Sequence, residues 1–463
     1  MLTRLTFLGA AGTVTGSRFL LSGDDWSYLI DCGLFQGGRR MEERNWQPIA
    51  IPLDKLDAIL LTHAHIDHVG YLPRLVAQGF RGPVFATAAT CALLELVLPD
   101  SAYLQEQDAA YANKGGFSRH RPALPLYTVA DAEQALRLLQ PVHFHQSVSL
   151  DSLAVTWVPA GHLLGSAILE IEQRGDASGR RLIFSGDLGR YNSKVMKPPT
   201  TIENGDVLVV ESTYGDRRHA EDSISEGLSR ALRYAGETLG VLLIPAFSVG
   251  RTQQVLYHIR KLQEAGLAPD LPVYIDSPMA VDASYIYCRF GDDHNLDVNL
   301  LMDDNACPLR CRDTYFVRDV ADSKALNQMP GPAVILSASG MLTGGRILHH
   351  LKWRLPDARN AVLFVGYQAE GTRGRALLEG AKSLRIHGEE VAVRAKIARL
   401  EALSGHADQD ELLRWLGGFA GPPSRIYLVH GGLSASRGLE RLIRERLGWR
   451  PEIPTEGVAV TLD

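Results

Sequence analysis

The sequence predicts an α/β protein of two domains, one inserted within the other. Its 463 residues exceed what one hydrophobic core usually organises. As far as residue 215, short apolar strands alternate with polar or glycine-rich loops. From 216 the texture becomes a strict alternation of helix and strand, and chemistry-bearing residues return after 391. The expected organisation is therefore a first domain at 1–215 and 392–463, with an inserted domain at 216–391.

The strands are read from runs of β-branched and large apolar residues. They fall at Leu2–Leu8, Ser27–Ile30, Ala58–Thr62, Val84–Ala86, Ala154–Val158, Ala167–Ile171, Leu182–Ser185 and Val207–Val210. Helical spacing runs from Ala89 to Asn113, ahead of the loop Gly115–Arg119, and recurs over Val129–Leu139. In the inserted block, helices at Ser223–Ala235, Arg251–Glu264 and Arg346–Leu355 alternate with strands at Val241–Ile244, Val273–Ile275, Val334–Leu336 and Val362–Val365. That order predicts a parallel sheet with helices on both faces. A strand near Val391, the helix Gln409–Leu416 and the strand Ile426–Val429 complete the chain.

Composition narrows the class. The hydrophobic and charged fractions, 45% and 22%, are those of an ordinary globular protein. No apolar run approaches the roughly 18–20 residues of a membrane span. The N-terminus has no charged region followed by an apolar one and a small-residue cleavage site, so a cytoplasmic address is expected. The five cysteines are scattered and odd in number, which suits a reducing compartment. No structural metal is expected at Cys307 and Cys311. A net charge of −5 argues against coating nucleic acid by bulk electrostatics but leaves room for a locally basic cleft.

The segment Leu60-Leu61-Thr62-His63-Ala64-His65-Ile66-Asp67-His68 carries the most chemistry. Three imidazoles and a carboxylate this close are costly to place together unless something positive binds them. His63 and His65, two apart on extended backbone, project to one side, while Asp67 and His68 lie at the turn into a helix beginning near His68. One strand exit can therefore serve two adjacent metals. Imidazole and carboxylate without thiolate favour zinc. Asp31, His162, Asp187 and His430 each follow a strand. Any one alone reads as a structural residue, but together with the histidine cluster they read as a converging site.

These residues resemble the metallo-β-lactamase family. Glu211-Ser212-Thr213-Tyr214-Gly215, Ser404-Gly405-His406-Ala407-Asp408 and Val429-His430-Gly431 resemble motifs A, B and C of its β-CASP subfamily. Pro245–Gln253 and Ser337–Met341 resemble further segments of that subfamily. The resemblance implies a metallo-β-lactamase αββα sandwich with an inserted Rossmann-like parallel β-CASP domain. It implies two zinc ions per chain, with His63, His65 and His162 on one and Asp67, His68 and His430 on the other. Asp187 would bridge them, and Asp31 would orient a ligand without binding metal. Asp67, Asp187, Glu211 and His406 are the residues implied as catalytic.

The resemblance further implies hydrolysis of RNA by an activated hydroxide, leaving 5′-phosphate and 3′-hydroxyl ends. His406 would protonate the leaving oxygen and Glu211 would orient His406. Capping does not account for His406, because Asp408 is available to cap the helix that follows. In the inserted domain, Ser339, Gly340, Ser248 and Arg251 are candidates for substrate phosphate, since each loop precedes a helix. Ordinary helix-capping turns are the competing reading. Arg346, Lys352, Arg373, Arg375, Arg394 and Lys396 could add positive charge or simply form a solvated face. The remaining histidines, including His143, His145, His349 and His350, read as structural or surface residues.

Single-stranded RNA is the expected partner, and a homodimer is allowed for. A DNA nuclease of the same fold is the nearest alternative. In that branch motif C carries a valine, whereas His430 stands here. A scaffold subunit of a processing complex would be expected to have lost ligands, and none is lost.

Overall fold

The computed structural model describes residues 3–116, 118–151, 153–174, 179–219, 224–301, 307–366, 368 and 371–462. Leu2 and Ser223, where two expected elements begin, and Phe117 of the expected loop lie outside these residues. The chain divides into two compact units, Met1–Arg218 with His406–Asp463, and His219–Gly405. Their second boundary lies beyond 392 because the strand Lys396–Arg399 pairs with Ala361–Phe364 in the sheet of the second unit.

The first unit is built on two sheets. One has seven strands, running from the C-terminal strand Ala459–Leu462 through Thr3–Phe7, Phe19–Ser22, Ser27–Ile30, Ala58–Leu60 and Val84–Thr87 to Leu139–Val142. The other has six, with Arg425–Val429, Val207–Glu211 and Arg181–Phe184 parallel and adjacent. Ala167–Gln173, Leu153–Pro159 and Ser147–Leu150 follow antiparallel. Alternate residues of both sheets meet in one core. Leu5, Phe7, Phe19, Ile30 and Leu60 come from the first sheet, and Val155, Trp157, Leu169, Phe184 and Val209 from the second. The buried Trp157 indole donates to the Leu61 carbonyl at 3.0 Å, tying the sheets together two residues before His63.

The outward residues of the second sheet, among them Ile168, Ile183, Leu208, Val210 and Leu428, pack under the helices Gln409–Leu416 and Leu433–Leu447. Against the first sheet, the helix Ala88–Gly115 packs on Val84–Thr87 and Leu139–Val142. Sheets inside and helices outside give the expected αββα sandwich. The expected helix Val129–Leu139 ends at Leu136, because Leu139 already pairs as a strand with Val84.

The second unit holds a six-stranded sheet, parallel throughout, with Thr314–Phe316, Val273–Asp276, Ala333–Ser337, Val241–Pro245, Ala361–Phe364 and Lys396–Arg399 in that order. Its period-two pattern feeds two cores. Leu242 and Ile244 face Leu228, Leu232, Val255 and Ile259, whereas Val241 and Leu243 face Ile347, Leu351 and Leu377. Both faces are apolar for that reason, and the strands read as continuous hydrophobic runs.

Candidate metal centre

The strands of the first unit deliver their chemistry to one edge. Asp31 follows Ile30 and His63 follows the strand ending at Leu60, in neighbouring parallel strands. Glu211 pairs in register with Val429, the residue before His430. The loops bearing His162 and Asp187 cross at an isolated bridge between Gly161 and Leu188. A side chain at Gly189 would lie 1.9 Å from the Gly161 carbonyl oxygen, so this crossing requires glycine. The short helix starts at Ile66, not near His68. Asp67 and His68 therefore both lie inside it, with His65 at its N-cap.

The expected ligands fall into two groups of donor atoms. His63, His65, His162 and Asp187 bring one ligand-capable atom each within 4.8 Å of one another, and so do Asp67, His68 and His430. In the first group, His65 Nδ1 lies 3.2 Å from His63 Nε2 and 3.1 Å from His162 Nε2. Asp187 Oδ2 lies 3.4 Å from His63 Nε2 and 3.7 Å from His162 Nε2. In the second, His430 Nε2 lies 3.1 Å from His68 Nε2 and 3.3 Å from Asp67 Oδ2. Asp187 Oδ1 completes that side, 3.4 Å from His68 Nε2.

The donors suit a cation. Asp187 Oδ1 is buried and accepts no hydrogen bond, a costly condition for a carboxylate unless positive charge faces it. Nitrogen and carboxylate oxygen are the donor types that zinc and neighbouring transition metals take. Burial opposes ionisation of Asp187, but the surrounding imidazoles of His430, His68, His63 and His406 outweigh it and hold the pKa well below the usual range. Burial likewise opposes the charge of Asp67, and its bond to His430 overcomes that and brings the pKa down to about 2. Burial pushes His65 down to about 4. His68 moves the other way, because Asp187 and Asp31 outweigh its burial.

Asp31 sits behind this layer. Its Oδ2 takes a 2.7 Å bond from His68 Nδ1, and its two oxygens accept from the amide and hydroxyl of Thr62. His406 stands beside both groups, its ring 4.4 Å from that of His162 and 6.1 Å from that of His430. Its Nδ1 faces Glu211 Oε2 at 3.3 Å. Burial disfavours the imidazolium of His406, yet Glu211 and Asp187 overcome this and push its pKa up to about 9. Asp408 caps the helix Gln409–Leu416 through a capping box with Glu411, which leaves His406 free of that duty.

In the second unit, Ser248, Ser339 and Gly340 lie on two loops that follow strands whose last residues Pro245 and Ser337 pair in register, and Arg251 opens the helix Arg251–Glu264. Their hydroxyls already have partners. Ser248 Oγ bonds Ser277 Oγ at 3.1 Å, and Ser339 Oγ accepts from the amides of Thr343 and Gly344. Arg251 donates to Gln254, and the Gly340 carbonyl accepts from Gln368. His350, read as structural, bonds the buried Asp276 at 2.7 Å. The reading of single residues missed Thr62 and Thr213. Both contact histidines of the metal groups, and only membership of a recognised segment could have flagged them.

Known proteins resemble this chain over most of its length. Residues 27–243 match a "Beta-lactamase superfamily domain", 252–377 a "Beta-Casp domain", and 390–454 a "Zn-dependent metallo-hydrolase RNA specificity domain". The chain is 40% identical over 446 residues to a ribonuclease of Thermus thermophilus, covering 96% of each protein. It is 30% identical to the transcription termination factor FttA of Methanothermobacter thermautotrophicus, over 92% of this chain and 67% of that protein. A crystal structure of a protein of unknown function from Enterococcus faecalis is similar in fold, with a TM-score of 0.55 and 15% identity over 100% of both chains. Among the described residues no helix is long and apolar enough to cross a membrane. The chain belongs to the β-CASP family of metal-dependent nucleases built on the metallo-β-lactamase fold.

Proposed function

We propose that this chain is a zinc-dependent ribonuclease that hydrolyses single-stranded RNA to 5′-phosphate and 3′-hydroxyl products. The observation that carries the metal reading is the division of Asp187, which turns Oδ2 to one donor group and Oδ1 to the other. On this reading His63, His65 and His162 hold one zinc, Asp67, His68 and His430 hold a second, and Asp187 serves both. When bound, such ions supply Lewis acidity toward a phosphoryl oxygen and activate water near neutral pH.

The protein's own groups do the rest. His406 carries a proton on Nε2 for the leaving 3′-oxygen, while Glu211 keeps Nδ1 engaged and favours the charged ring. Asp31 holds His68 through Nδ1 and so presents Nε2. RNA as substrate is supported by the ribonuclease relative, by the match to the RNA specificity domain and by His430 at motif C.

The test is incubation of purified protein with 5′- and 3′-labelled single-stranded RNA beside matched DNA. Preferential RNA cleavage leaving 5′-phosphate ends is expected. Equal or faster cleavage of DNA would move the chain to the DNA branch. Products ending in a 2′,3′-cyclic phosphate would exclude activated water as nucleophile, because they require attack by the 2′-hydroxyl.

A further inference from the structure

Thr213 Oγ1 lies 2.9 Å from the carbonyl oxygen of His430 and 3.1 Å from Nδ1 of the same residue. A hydroxyl has one proton, and a carbonyl oxygen can only accept. The Thr213 proton therefore goes to the carbonyl, and its oxygen accepts from the ring, which places the ring proton on Nδ1. The other neighbour of Nδ1, Asp187 Oδ1 at 3.4 Å, accepts no hydrogen bond. His430 Nε2 is then the nitrogen presented to His68 Nε2 and Asp67 Oδ2. His68 likewise presents Nε2, because its Nδ1 donates to Asp31.

The backbone bears on the same point. His430 has φ 48°, a left-handed conformation that few residues with a side chain adopt. The Thr213 hydroxyl holds the carbonyl of that conformation while it sets the ring. Thr62 repeats the device at the other group. Its Oγ1 donates to Asp31 Oδ2 at 2.8 Å and accepts from His63 Nδ1 at 3.0 Å, leaving His63 Nε2 toward His65 and Asp187.

We propose that Thr213 is a positioning residue that fixes His430 as the Nδ1–H tautomer for the second metal, and that Thr62 does the same for His63 at the first. The proposal rests on the reading of His430 and His63 as metal ligands. Local sequence could not show it, because Thr213 and His430 are 217 positions apart.

The experiment is zinc titration of the full chain against a chromophoric chelator, for the parent, Thr213→Val, Thr213→Ser and His430→Ala. Thr213→Val should weaken one zinc equivalent by roughly 10–100-fold and leave the other unmoved, whereas Thr213→Ser should bind both as the parent does. Parental binding by Thr213→Val, with one equivalent lost in His430→Ala, would overturn the proposal and leave the ligand reading standing. Parental binding by His430→Ala would overturn the ligand reading itself. Should Thr213→Val fail to fold, ¹⁵N spectra of the imidazoles in the zinc-loaded parent decide the matter. A proton on His430 Nδ1 supports the proposal, and a proton on Nε2 overturns it.

Discussion

His406 Nδ1 stands 3.3 Å from Oε2 of Glu211, a carboxylate buried completely beneath it. The His406 side chain keeps 20% of its surface exposed, so the ring is held at Nδ1 without being sealed from solvent. His406→Ala should therefore leave both metals bound while slowing turnover by roughly 10²–10⁴-fold. A nitrophenyl phosphodiester, whose leaving group needs no proton, should be cleaved with a smaller loss. His430→Ala should instead lower metal content without such selective rescue. Elemental analysis beside steady-state kinetics reads both effects, and the reverse pattern would mean the two histidines have exchanged roles.

Glu211→Gln should resemble a milder His406→Ala. The amide oxygen can still accept from the Leu188 amide, which now donates to Oε1 at 2.6 Å, so the fold should persist. What disappears is the negative charge that favours the imidazolium. Slower hydrolysis of RNA with near-parental nitrophenyl hydrolysis is the expected outcome. Equal loss on both substrates would count against Glu211 acting through His406.

Metal removal should cost both activity and stability. About two zinc ions per chain are expected after mild purification, and a strong chelator should remove them and lower the melting temperature. The physical reason is that the cluster of carboxylates and imidazoles exists only in the folded chain, so a cation bound there stabilises the fold. A fully active, metal-free protein would refute the whole assignment.

Gly33→Ala tests the scaffold of the second group. A Cβ at Gly33 would fall 1.7 Å from the Asp67 carbonyl oxygen, and backbone cannot swing aside as a flexible side chain can. The turn also depends on bonds from the Ser17 amide to Asp67 O and from the Cys32 amide to His68 O. The variant should lose metal from the Asp67–His68–His430 group before the other, by titration, and should melt lower than the parent.

Asp276 predicts acid sensitivity in the second unit. It is buried, yet bonds from His350, Ser323 and Arg346 outweigh the cost of burial and hold its pKa below the ordinary value. A depressed folded pKa means that the stabilisation is complete above the unfolded carboxylate pKa and is lost as pH falls through the folded one. Asp276→Asn should destabilise by about 1.5–3 kcal/mol at neutral pH, the worth of hydrogen bonds to a charged group. Denaturant unfolding from neutral pH to about pH 3 should show that deficit shrinking as the parent's own carboxylate protonates.

Local pattern carried much of this protein. The ligand types of residues 63–68 and their separation into two pairs follow from covalent spacing along one strand exit, where geometry is short-range. The apolar runs of 241–244 and 334–336 announced a sheet covered on both faces, because only burial on both sides removes the polar alternation. Resemblance then supplied His162, Asp187 and His430, which spacing alone could only nominate. Tertiary structure decided contacts that cross the chain. The register of Glu211 with Val429 sets which carboxylate meets His406 and which hydroxyl meets His430. The crossing at Gly161 and Leu188 brings the His162 loop beside Asp187, whose two oxygens then face different groups. The Asp276 network had no sequence signal, since its Asp, its Ser and its Arg–His pair come from three elements and meet only after the sheet has formed. Spacing along a chain specifies distances over a few residues, and beyond that range strand register and loop crossings do.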